Sequence, residues 1–154
     1  MTKIKTKLLW LMPLALITVL SAESMKKQNF DSYLLSFDYQ ARKDMKIDSK
    51  TLVQMMKEGK VQFVDIRFKE EYAAWHMAGS INIPLPDLPN NLDKLDKTKL
   101  IVTACPHKDR ATIARTYLAL KGFNTRYLVD GLTGLAELLR GDKAKDFMNS
   151  MEIK

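Results

Sequence analysis

The chain is poor in residues that staple or ligate. Its 154 residues include one cysteine, Cys105, and two histidines, His76 and His107. A lone cysteine makes no internal disulfide, so stability must come from a buried core. One cysteine and two histidines leave no four-ligand set for a structural zinc. The longest apolar run, Leu8–Leu20, falls short of the roughly 20 residues that span a bilayer comfortably. The lysines and arginines are scattered rather than gathered in a dense stripe, which argues against nucleic acid as a partner. No internal repeat and no low-complexity tract is present.

What is present suits one ordinary domain. Apolar residues make up 46% and charged residues 28%, enough for a core under a solvated surface. The formal charge is +7. Setting residues 1–24 aside removes three lysines and one glutamate and leaves +5. A mildly basic domain favours small anions or acidic partners.

Residues 1–24 read as an export signal. Lys3, Lys5 and Lys7 precede the apolar run, and Ala22-Glu23-Ser24 gives a small-residue cleavage site. The alternative is an uncleaved amino-terminal anchor, which would be the chain's only contact with a membrane. No cysteine lies near the cleavage site, which excludes a lipoprotein anchor. Export implies an oxidising compartment, in a bacterium the periplasm.

Residues 25–45 follow as an amphipathic helical extension. Phe30, Tyr33, Leu34 and Phe37 fall on one helical face, expected to pack on the domain. The main domain spans 46–154. Ile47 marks a short strand. Asp48 or Ser49 caps a helix over Leu52, Val53, Met55 and Met56 that Gly59 ends. Val61–Ile66 and Leu100–Ala104 are apolar, β-rich runs, and Thr125–Val129 is a third. Lys69–His76 reads as a short helix, and Ser80–Pro84 as an extended piece. A proline-rich loop comes next, then a brief helix at Leu92 and Leu95. Helices over Ala111–Lys121, Leu132–Leu139 and about 143–151 complete the chain. Alternation of strands and helices predicts an α/β fold, a mainly parallel sheet with helices on both faces.

Cys105 follows directly on a buried strand, and Pro106, His107, Lys108, Asp109 and Arg110 lead into a helix. Open α/β sheets place their ligands at this end of a strand. Helix N–H groups, the helix dipole and the charges of Lys108 and Arg110 all favour a thiolate. A thiolate at neutral pH, and hence a nucleophile, is the expectation. A buried structural cysteine is the plainer reading, but it does not require this cationic surrounding.

Three motifs, in order, resemble those of the rhodanese family over nearly all of residues 46–140. The first runs from Val64-Asp65-Ile66-Arg67 through Glu70-Glu71-Tyr72 to His76-Met77-Ala78-Gly79-Ser80-Ile81-Asn82-Ile83-Pro84. The second is Cys105 to Arg110, a cysteine, four residues and an arginine. The third is Val129-Asp130-Gly131-Leu132 with Gly134. The resemblance implies a rhodanese-like three-layer fold and a transferase without a cofactor. Cys105 would take sulfur from an anionic donor such as thiosulfate or a polysulfide, hold it as a persulfide, and pass it to cyanide, a thiol or a protein acceptor. Pro106, His107, Lys108, Asp109 and Arg110 would form the substrate-binding loop. Asp65 and Arg67 would support the scaffold by hydrogen bonds and an ion pair. Two departures bear on the donor: many relatives have glycine where Lys108 stands and a basic residue where Pro106 stands. Trp75 replaces a usual glycine, and its expected role is packing.

Three rivals follow from the same residues. A dual-specificity-type phosphatase needs five residues between cysteine and arginine, and here there are four. A non-catalytic sulfur-carrier or interaction module would keep the fold without the turnover. A thiol redox protein would need a resolving cysteine, which is absent.

Overall fold

The computed structural model describes residues 29–152. The export signal read in residues 1–24 lies outside them. Five strands form one sheet: β1 (Lys46–Ile47), β2 (Val61–Asp65), β3 (Ser80–Asn82), β4 (Leu100–Ala104) and β5 (Thr125–Leu128). Their order is β1-β5-β4-β2-β3, and every pairing is parallel. Parallel neighbours need crossovers, which the helices supply on both faces.

The helices are α1 (Phe30–Leu35), α2 (Tyr39–Asp44), α3 (Ser49–Lys57), α4 (Lys69–Ala74), α5 (Asp109–Leu120), α6 (Gly131–Leu138) and α7 (Asp142–Glu152). Asp48 caps α3 by accepting from the Thr51 amide at 2.9 Å. Gly59 takes φ 69° two residues past its end, where a side chain would be strained. The proline-rich stretch is ordered as 3-10 turns, Leu85–Asn90 and Leu92–Lys94. Prolines remove α-helical donors but fit the first positions of such short turns.

Alternation along the strands separates two cores. Leu100, Val102 and Ala104 join Leu52, Met56, Leu132, Leu135 and Phe147 of α3, α6 and α7. Ile101 and Cys105 face the other way and join Ala111, Ala114 and Leu118 of α5, with Val64, Ile66 and Leu88. The period of two therefore decides that Cys105 points toward α5. Ala111, Ala114, Arg115 and Leu118 form the buried stripe of that helix, at i, i+3, i+4 and i+7.

The amino-terminal extension differs from expectation. It is two short helices, broken where Ser36 closes α1 and Asp38 caps α2. A short polar side chain that caps a new helix competes with continuation of the old one. The apolar face is not packed: Phe30, Leu34 and Phe37 are exposed at 50%, 53% and 40%. Only Tyr33 of that face is half-buried. Its hydroxyl accepts from Arg115 Nη1 on α5. No helix among the described residues is long and apolar enough to cross a membrane.

Candidate active site

The site is the turn between β4 and α5. Asp109 already lies in the first turn of α5, two residues before the expected start. The turn proper is thus Cys105 to Lys108. Its outer edge rests on α6. The Cys105 carbonyl accepts from the Leu132 amide at 2.9 Å, and the Pro106 carbonyl accepts from the Thr133 hydroxyl at 2.9 Å and the Thr133 amide at 3.3 Å. Gly131 has φ 65°, and a β-carbon there would stand 2.2 Å from the Pro106 carbonyl oxygen and 2.3 Å from that of His107. Only glycine lets α6 approach so closely. The Thr103 hydroxyl donates to the Ala111 carbonyl at 2.9 Å and ties β4 to the first turn of α5.

Cys105 is fully buried. The backbone amides of Ala111 and His107 favour the thiolate. Two other effects outweigh them. Burial, the largest, pushes the thiol pKa up. The Asp109 carboxylate raises it further, with Oδ1 accepting from Sγ at 3.3 Å. Burial and Asp109 thus oppose the thiolate that the loop composition leads one to expect. The loop's nearest charge to the sulfur is an anion, and the sulfur has left water. The Asp109 carboxyl is held below its usual range, first by the Arg110 amide and then by the thiol hydrogen bond.

Arg110 turns to α4. Its Nη1 and Nη2 donate to Glu71 Oε2 and Oε1 at 2.7 and 2.9 Å. Glu71 Oε2 also accepts from the Phe68 amide at 3.2 Å. The pair lowers the Glu71 pKa, chiefly through the Arg110 hydrogen bond, and raises that of Arg110. The two residues are 39 positions apart, and α4 contributes a carboxylate that reading the loop alone misses. Its only signal was Glu71's place in the first motif. Lys108 and His107 are exposed, and Pro106 is half-buried.

Asp65 and Arg67 lie at the end of β2, beside the same turn. Asp65 Oδ1 accepts from the Arg67 amide and Nε, each at 3.0 Å, and Oδ2 accepts from Nη2 at 2.7 Å. Nη2 also donates to the Trp75 carbonyl at 2.7 Å. Both side chains are buried. Trp75 does not pack in the core; it is 42% exposed and covers the Arg67 guanidinium, 4.3 Å from its ring centroid. Asn82 Nδ2 donates to the carbonyls of Asp65 and Arg67 at 3.0 and 2.9 Å and fastens β3 to this corner.

A buried strand-end cysteine, a turn carried by backbone amides and a glycine pressed against that turn define a family. The family model described as "Rhodanese-like domain" matches residues 48–138, and the chain belongs to that family. A tRNA uridine(34) hydroxylase of Hamiltonella defensa is 35% identical over 99 residues. That match covers 60% of this chain and 27% of the relative, so the chain spans about a quarter of it. Solved structures agree on the fold. A rhodanese-related protein from Thermoplasma volcanium is 26% identical with a TM-score of 0.55, covering 60% of this chain and 90% of that one. A rhodanese-like domain protein from Staphylococcus aureus is 26% identical with a TM-score of 0.55, covering 58% and 89%.

Proposed function

We propose that the chain is a sulfurtransferase that carries sulfane sulfur as a persulfide on Cys105. The donor is of the thiosulfate or polysulfide type, and the acceptor is cyanide, a thiol or a protein. The observation that carries this reading is the place of Cys105, at the end of β4 and opening the turn into α5 of a rhodanese-like domain. Backbone amides at a helix start stabilise negative charge on a sulfur chain as transfer proceeds. The thiol must lose its proton before attack, a loss that burial and Asp109 oppose, and the covered sulfur must become accessible. Export to the periplasm, through the segment 1–24, belongs to the same proposal.

Exposure of the purified chain to thiosulfate or to an organic persulfide should add one sulfur atom to its mass. Cys105→Ala should gain none. Complete burial of Cys105 favours a second reading, a non-catalytic carrier or interaction module of the same fold. The interaction-module reading takes over when no donor loads the wild-type chain.

A further inference from the structure

The charges around Cys105 do not suit a doubly charged donor. Four charged side chains meet at the turn. Asp109 sets its carboxylate 3.3 Å from the sulfur. Arg110, five positions after Cys105, is engaged at both terminal nitrogens by Glu71. Lys108 is exposed, and water screens its ammonium. The formal charges of Glu71, Lys108, Asp109 and Arg110 cancel. A turn that reads as cationic in the sequence is neutral in space, with its negative end at the sulfur.

Resting on the sulfurtransferase reading above, we propose that Asp109 and Glu71 select the donor: an organic persulfide, carrying at most one charge on its sulfurs, is taken in preference to dianionic thiosulfate. Attack by Cys105 already brings one negative charge to the transferable sulfur. Thiosulfate adds two more beside the Asp109 carboxylate, with Arg110 offset by Glu71. A persulfide R–S–SH adds one or none. The transfer balances without an oxidant or reductant. A bond forms between Cys105 Sγ and the outer sulfur, and the donor S–S bond breaks with its electron pair going to R–S. The proton lost from Sγ ends on that sulfur. Cys105–SH and R–S–SH become Cys105–S–SH and R–SH.

The test is the rate at which the full chain gains one sulfur atom, read by intact mass, from thiosulfate and from the persulfide of 2-mercaptoethanol. Intrinsic donor reactivity cancels when the ratio of the two rates is compared between variants. Asp109→Asn should raise the thiosulfate rate relative to the persulfide rate by roughly tenfold, the effect of removing one like charge close to the donor in a partly solvated turn. Glu71→Gln frees Arg110 and should shift the ratio the same way by a smaller factor. This second variant decides the matter should the first not fold. A ratio unmoved by both substitutions, while Cys105 still loads, overturns the selection and leaves the sulfurtransferase standing. No loading from either donor removes the sulfurtransferase reading, and the selection falls with it.

Discussion

Two carboxylate–arginine pairs flank the Cys105 turn, and they are built alike but placed differently. Asp65–Arg67 is closed at 2.7 Å with side-chain exposures of 0% and 1%. Glu71–Arg110 is closed at the same 2.7 Å with exposures of 34% and 28%. The buried pair holds backbone: the Arg67 amide, the Trp75 carbonyl and, through Asn82, the corner of β2 and β3. The half-exposed pair holds charge. Water screens it, so it contributes little to folding, yet it decides how much of Arg110 is left for an anion at the turn. Equal geometry thus gives unequal roles, because the cost of separating the partners depends on the dielectric around them.

The largest effect should come from leaving one buried charge alone. Arg67→Met strands the Asp65 carboxylate and should destabilise the fold by about 3–5 kcal/mol, measured by urea or thermal unfolding. Gly131→Ala should come next, at roughly 1–3 kcal/mol for the positive φ with further loss from the backbone clash. It should also abolish sulfur loading, because the Pro106 and His107 carbonyls must retreat. Glu71→Gln should cost under about 1 kcal/mol in the same unfolding assay. A loss as large as that of Arg67→Met would erase the distinction between the two pairs.

Titration acts on Glu71 and Cys105 in opposite directions. Glu71 has its folded pKa lowered by Arg110. Its contribution is therefore present above the unfolded glutamate value of about 4.3 and fades as pH falls through the folded one. Cys105 has its pKa raised, by burial first. Its contribution is full below the unfolded thiol value of about 8.5 and fades as pH rises through the folded one. Iodoacetamide labelling of Cys105 should accordingly climb at higher pH than for a free thiol. Asp109→Asn removes the carboxylate beside the sulfur and should move that profile to lower pH. A wild-type profile below that of a free thiol would contradict the burial of the sulfur.

Most of the fold is legible along the chain. The strands at Val61, Leu100 and Thr125 and the helix capped by Asp48 and ended by Gly59 follow from alternation, caps and turn residues. These are local effects, and local sequence contains them. The amino-terminal extension is the exception. Its periodic Phe30, Tyr33, Leu34 and Phe37 announce a buried face, but periodicity names a face without naming a surface to cover it.

The cysteine at the turn was determined by sequence alone: a single thiol, directly after a buried strand, with four residues between it and an arginine. Its side of the sheet follows from alternation only once the structure lays α5 on the face of Ile101. Its charge state was decided by tertiary structure. Lys108, Asp109 and Arg110 are adjacent in the chain, and their sum looks cationic. Folding turns Asp109 onto the sulfur, sends Arg110 to Glu71, 39 residues away, and removes Cys105 from water. A sequence displays charges, but electrostatic energy depends on distances and burial, and both are set only when distant segments meet.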